Sequence, residues 1–187
     1  MERMGRAQPL QGRCTPRCHW RDAPGASARW NVIAQQTLMA EADRGPQDRH
    51  IFWADGWDGY PMARQRLIDS MATSPVKDTL VLGGDVHSFW ASDLRRDFTG
   101  PGPIVATEFV GGSITSQGPS ADRVKAMLAK NPHLRYGRSG VYGYGLAALS
   151  KPLFPLAGST ATVLLAFARD ATQAFMICPG VPAPWVP

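Results

Sequence analysis

The 187-residue chain is long enough to form one domain with a sizeable core, and its composition of 44% hydrophobic and 19% charged residues excludes a disordered protein. No apolar run approaches the roughly 20 residues that a membrane-spanning helix needs, so we expect no membrane span. The formal net charge is +5, of which residues 1–29 contribute +4 through six arginines and two carboxylates. The remaining chain is almost neutral, which predicts no specific nucleic-acid-reading surface.

The two ends of the chain differ in composition from its middle. Residues 1–28 are rich in Arg, Pro and Gly without periodicity, and predict an unstructured basic arm; no apolar segment follows their charges, so they do not read as a signal peptide. Residues 151–187 form a divergent Pro-rich tail, in which the apolar runs TATVLLAFA and TQAFMIC predict a β-hairpin.

The middle of the chain, residues 29–150, begins with a predicted buried strand over Trp30–Ala34. A polar loop and the aromatic-rich stretch FWADGWDGYP come next, and this stretch is too irregular for a helix or a strand. Pro61 then suits the first residue of a helix, because the N–H that it lacks is not needed there. Apolar residues at helical spacing continue this helix until Pro75 closes the segment.

Two strands that run into paired glycines follow this helix, namely DTLVLGG and PIVATEFVGG. A second helix is predicted after them, with Ser120 as its N-cap and with Asn131 and Pro132 at its end. The order strand, helix, strand, strand, helix is typical of an α/β fold.

The stretch LVLGGDVH places Asp85 and His87 one residue apart at a strand end, where sites form in α/β sheets. Side chains two positions apart in an extended chain point to the same side, so the pair predicts half of a metal site. A carboxylate with an imidazole suits Zn, Fe or Mn. Ordinary turn chemistry at Asp85 and a packed His87 remain the alternative.

Three other polar residues have a structural interpretation beside a functional one. Asp58 suits a rigid aromatic turn close to a helix start. Glu108, inside an apolar strand, is more typical of a paired carboxylate than of a base, and His133 is more typical of a helix end than of a catalyst.

Several long strings occur together in one order: RWNVIAQQTLMA, DGWDGYPMARQRLIDSM, LVLGGDVHSFWASDLRRDF and VATEFVGGSITSQGPS. Together they resemble the C-terminal part of the PhoD-like alkaline phosphatases, a branch of the calcineurin-like metallophosphoesterases. The resemblance covers about residues 28–149.

This resemblance implies an α/β fold that is the C-terminal portion of a two-sheet sandwich flanked by helices, with a multi-metal centre at the strand ends. It implies hydrolysis of phosphate monoesters and diesters at alkaline pH, with a metal-bound hydroxide attacking phosphorus. The metals implied are Ca and Fe, with Zn or Mn as alternatives.

The same resemblance assigns roles to individual residues. Asp85 and His87 are expected to be catalytic and to bind metal, with Asp58 and Gln36 as further metal ligands. Trp57, Asp58 and Tyr60 are expected to border the substrate phosphate.

The family's early motifs, a GD…Y and a DDHE-like string, do not occur in this sequence. We therefore expect that an N-terminal half of the fold is missing as a partner of this chain. The alternative hypothesis is a catalytically inactive half-domain that acts at most as an interaction fragment. The family is commonly exported to the periplasm or the medium, and the sequence leaves this chain's own location open.

Overall fold

A computed structural model describes residues 30–74, 78–150, 162–167 and 174–177. The predicted basic arm, residues 1–28, lies outside the described residues. Within the described ranges, no helix has both the length and the apolar character needed to cross a membrane.

A mixed five-stranded sheet forms the centre of the described fold. Its strands are β1 (Trp30–Ala34), β2 (Asp78–Gly83), β3 (Phe89–Arg95), β4 (Ile104–Val110) and β5 (Leu134–Arg138). Their order across the sheet is β1-β2-β4-β3-β5. The pairs β1–β2 and β2–β4 are parallel, whereas β3 runs antiparallel to β4 and β5. The ends of β2 and β4 that carry paired glycines therefore lie side by side.

Two α-helices accompany this sheet, α1 (Pro61–Thr73) and α2 (Ala121–Lys130). Pro61 is in the first turn of α1, and the Ser120 hydroxyl accepts a hydrogen bond from the backbone N–H of Arg123 at the start of α2. Asn131 follows the last residue of α2. The predicted starts of both helices and the α/β fold class are therefore confirmed.

Three further strands form a second, antiparallel sheet. They are β6 (Gly145–Ser150), β7 (Thr162–Phe167) and β8 (Ala174–Ile177). Their order is β6-β7-β8. Strands β7 and β8 arise from the two apolar runs of the Pro-rich tail and pair antiparallel.

The two faces of the five-stranded sheet bury separate apolar clusters. The cluster on the helix side includes Ile68, Met71, Val81, Trp90, Leu94, Val110, Val124 and Met127. The cluster on the other side consists of Leu80, Phe89, Ala91 and Phe109, with Ala147 of β6 packed against it. Neighbouring residues such as Leu80 and Val81 fall into different clusters because side chains alternate along a strand.

Strand β1 differs from the buried strand that its sequence predicts. Val32 is 47% exposed, and Ile33 only partly buried. The reason is position: within the described part of the chain β1 is an edge strand that pairs with β2 on one side. An apolar run alone does not distinguish an edge strand from a central one.

Helix α1 offers a matched test of this packing. Met71 is 2% exposed within the helix-side cluster, whereas Met62, on the same helix, is 70% exposed. We expect Met71→Ala to lower the free energy of unfolding by about 2 to 5 kcal/mol, because it leaves a cavity in the core. Met62→Ala is expected to change it by less than about 0.5 kcal/mol. Denaturant unfolding followed by circular dichroism measures both, and equal effects would contradict the assigned helix orientation.

Candidate active-site cleft

The chain turns sharply where β2 ends, and this turn carries Asp85 and His87. Both residues have a positive φ, 65° for Asp85 and 56° for His87. The expectation that their side chains align as in an extended strand is therefore wrong, because the backbone has left the β region. Asp and His tolerate this left-handed conformation better than most residues, yet two such residues in one turn cost backbone energy.

The turn is held by the backbones beside it. The Gly84 N–H donates to the carbonyl oxygen of Gln36 at 3.1 Å, and the Gly111 N–H donates to that of Gly83 at 3.0 Å. Gly83 is packed so closely that an added Cβ would overlap the carbonyl oxygen of Thr37. The paired glycines thus allow three chain segments to meet at the strand ends.

Asp85 and His87 line one cleft of about 400 Å³. Two arginines, Arg44 and Arg123, line the same cleft, as does Trp53. Its apolar wall is formed by Leu38, Val86, Trp90 and Met127. The cleft therefore combines a carboxylate, an imidazole and two guanidinium groups over an apolar floor, which suits a polar anionic ligand with an apolar substituent.

The hydrogen bonding of His87 fits a metal-binding histidine. Its Nδ1 lies 3.3 Å from the carbonyl oxygen of Gln117, so that Nδ1–H donates and Nε2 keeps the lone pair. Histidines that bind metals commonly make such a bond through the other ring nitrogen. The side chains of Asp85 and His87 are both exposed and therefore accessible to an ion.

These two donors fit one side of a metal centre. Among residues 30–74, 78–150 and the two short strands, no group of three or more His, Cys, Asp or Glu side chains is arranged to hold a metal ion.

The other residues expected at the site lie outside the lining of this cleft. The carbonyl of Gln36 supports the turn, while its side chain is exposed. The indole N–H of Trp57 donates to Gln35 Oε1 at 2.9 Å. Tyr60 is 64% exposed at the start of α1. Their roles as metal ligand or substrate contacts stay predictions.

Asp58 is occupied by a structural ion pair. Its Oδ1 lies 2.5 Å from an Nη atom of Arg64, and its Oδ2 accepts the N–H of Ala42 at 3.3 Å. Arg64 also donates to the Glu41 carboxylate at 2.9 Å. Burial raises the pKa of Asp58, and the adjacent Arg64 opposes that rise. This contact holds α1 against the loop that follows β1, and the proposed metal-binding role of Asp58 stays a prediction.

That loop, residues 37–43, is buried and depends on a carboxylate from the central strand. Glu108 on β4 is fully buried, and its two oxygens accept the N–H groups of Met39 at 2.5 Å and Ala40 at 2.8 Å. Burial raises the pKa of Glu108 to about 7, although the two N–H groups favour its ionised form. The carboxylate takes the place of a strand partner for a segment that has none of its own.

The end of α2 anchors the same loop. Asn131 donates to the Asp43 carbonyl and accepts the Asp43 N–H, each at 2.9 Å. His133 Nε2 donates to the carbonyl of Glu41 at 2.6 Å, and burial lowers the pKa of this histidine. Because Arg44 comes directly after the loop, these contacts determine where Arg44 enters the cleft.

The sequence pattern did not reveal Arg44, Arg123 or Trp53 as cleft residues. Arg44 and Trp53 lie in loops, and no periodicity reports the direction of a loop side chain. Arg123 follows Asp122 in the first turn of α2, where an acidic residue is favoured, and only this unusual position could have drawn attention to it.

The described fold is that of an α/β protein with a charged cleft at the ends of its parallel strands. Residues 21–152 match the model of the family described as PhoD-like phosphatase, which is more than half of the chain. The chain belongs to the PhoD-like phosphatase family.

Two known proteins show the extent of the similarity. Over 115 residues the chain is 41% identical to alkaline phosphatase D of Bacillus subtilis (strain 168). This alignment covers 59% of this chain and 20% of that protein. A solved structure described as the structure of PhoD matches with a TM-score of 0.63 and 30% identity, over 89% of this chain and 35% of the other. The chain thus spans about a fifth and about a third of the lengths of these relatives.

The pH dependence of the free energy of unfolding tests the burial of Glu108, whose carboxylate binds the loop after β1. Because its pKa is raised from 4.5 to about 7 in the folded state, its stabilising contribution is complete below pH 4.5 and is lost as the pH rises through 7. We expect a loss on the order of 3 kcal/mol across that window. The variant Glu108→Gln should lack this pH dependence and leave one loop N–H unpaired.

The measurement is the free energy of unfolding of both proteins at several pH values from 4 to 8. The difference between wild type and variant isolates Glu108 from the other titrating groups. Parallel pH profiles would contradict the assigned titration.

Gly118 tests the contact between the loop after β4 and the β2 turn. An added Cβ at Gly118 would overlap the carbonyl oxygen of His87, whereas one at Gly102 would meet nothing within 4 Å. We expect Gly118→Ala to displace the His87 turn and to lower the free energy of unfolding by about 1 to 3 kcal/mol. Gly102→Ala serves as the control. Chemical shifts of the His87 ring, followed by NMR, should move only in the Gly118 variant.

Proposed function

We propose that this chain provides the Asp85–His87 side of a metal-dependent site that hydrolyses phosphate esters. The observation that carries the proposal is the single cleft that Asp85, His87, Arg44 and Arg123 line together. Membership of a phosphatase family supports a phosphate ester as the substrate class.

The carboxylate of Asp85 and the Nε2 atom of His87 are the groups of this chain that would hold a metal. An imidazole suits iron, zinc or manganese better than calcium, whereas a carboxylate suits all four. His87 and Asp85 together would therefore suit iron, zinc or manganese, and calcium would be held through carboxylate oxygen. When bound, such ions activate water and neutralise charge on the phosphate oxygens.

The chain's own residues perform the remaining tasks of the proposed reaction. The left-handed turn presents Asp85 and His87 from a rigid sheet end, which fixes the donors before the substrate arrives. The Gln117 carbonyl holds the His87 ring in one tautomer. The apolar wall with Trp90 and Met127 excludes water from one side of the substrate.

Metal-dependent turnover tests this proposal. The purified chain is stripped of metal with a chelator, supplied with calcium and iron, and assayed at alkaline pH with p-nitrophenyl phosphate and bis-(p-nitrophenyl) phosphate. We expect metal-dependent hydrolysis that His87→Ala reduces at least a hundredfold, because the variant removes a metal ligand. His50→Ala, which removes an exposed histidine outside the cleft, is the matched control.

Metal content measured on the same proteins separates two ways in which the assay can fail. Equal metal content and equal turnover in wild type and His87→Ala would refute the assignment of His87. Metal binding that depends on His87 without turnover would instead limit the chain to an inactive half of the site.

A further inference from the structure

Arg44 and Arg123 approach the cleft from different parts of the fold. Arg44 follows the buried loop after β1, and its guanidinium carbon lies 4.9 Å from the centre of the Trp53 ring. Arg123 belongs to the first turn of α2. Both side chains line the cleft that also holds Asp85 and His87.

The position of the Arg44 guanidinium is electrostatically unfavourable, and the described residues offset this only in part. Burial lowers its pKa, the charge of Asp58 favours its ionised form, and the charge of Arg123 opposes it. Asp58, however, is already bound to Arg64. The Nε atom of Arg44 is buried and has no hydrogen-bond partner in the described part of the chain. A buried donor without a partner can be satisfied by a bound water, an ion or a ligand, and the Arg44 side chain that carries this donor lines the cleft.

Arg123 is also unfavourably placed. It lies at the N-terminal end of α2, where the helix dipole favours negative charge, and it lines the same cleft as Arg44, whose pKa its charge lowers. Its side chain forms none of the ion pairs found between described residues. An anion between the two arginines would offset the repulsion, supply a partner to the Arg44 Nε and match the helix dipole.

We propose that Arg44 and Arg123 form an anion-binding subsite that holds the phosphate group of the ester in the cleft that Asp85 and His87 also line. The subsite rests on the proposed function, because it assigns the position of that substrate's phosphate. Arginine suits this role because its planar guanidinium donates two parallel hydrogen bonds to phosphate oxygens. Trp53 restricts the plane of the Arg44 guanidinium by stacking against it.

The negative charge of Asp85 is expected to weaken anion binding at the subsite when no metal is bound. In the absence of metal, its carboxylate lines the same cleft and repels an anion held by the arginines. Asp85→Asn removes that charge, and asparagine tolerates the left-handed backbone of this position. Phosphate binding without metal should therefore become tighter in this variant.

Binding of inorganic phosphate to the full 187-residue chain tests the subsite. Equilibrium dialysis is performed with a chelator present and at constant ionic strength. We expect one bound phosphate whose affinity falls about tenfold in Arg44→Gln and in Arg123→Gln, because each variant removes a charge-assisted pair. Asp85→Asn should bind severalfold more tightly. Arg66→Gln, an exposed arginine of α1 outside the cleft, is the matched control and should bind as wild type does.

Each outcome decides the matter. Phosphate binding that is unchanged in both cleft-arginine variants, that weakens equally in Arg66→Gln, or that is absent even in Asp85→Asn overturns the subsite. Arg123 is exposed on the helix surface, so its variant remains informative if Arg44→Gln unfolds. Since no metal and no turnover enter this measurement, its failure is distinct from a failure of the His87 assay.

Discussion

The structure depends on one buried carboxylate at the centre of the sheet. Glu108 sits on the central strand β4 and accepts the N–H groups of Met39 and Ala40, so the loop after β1 can cross the apolar helix side of the sheet. Without such an acceptor, burying that backbone would cost several kcal/mol. The same loop positions Leu38 and Arg44 at the cleft, and this links an interaction in the core to the composition of the site.

The cleft is lined by two kinds of polar side chain. Asp85 and His87, in a left-handed turn, offer donors to a cation, whereas Arg44 and Arg123 offer donors to an anion. In the proposed function a phosphate ester meets both requirements, because its negative charge is attracted both by bound metal ions and by the arginines. The strained turn and the repulsion between the arginines both raise the free energy of the folded state. The packing of the core offsets this cost.

Most of the central fold could be predicted from sequence, and the exceptions have physical causes. Pro61 and Ser120 indicated both helix starts because their effects on the backbone are local. Paired glycines marked the strand ends correctly. The extended backbone predicted for Asp85 and His87 was wrong, because the turn leaves the β region before Asp85, although both residues line one cleft. β1 was expected to be buried and is an edge strand among the described residues, a property of sheet order that no local pattern contains.

The sequence by itself indicated both helices, the strands β1, β2, β4, β7 and β8, the family and the Asp85–His87 pair as metal-ligand candidates, because periodicity, capping and long motif strings are local in the chain. It did not indicate β3, β5 or β6. Only the tertiary structure decided that Asp58 pairs with Arg64, that Glu108 holds the loop after β1, and that Arg44 and Arg123 line one cleft. Arg44 and Arg123 are distant in sequence, and their proximity depends on the buried loop and on α2 packing over the sheet. Contacts of that kind arise from the packing of elements, which side-chain spacing along the chain does not encode.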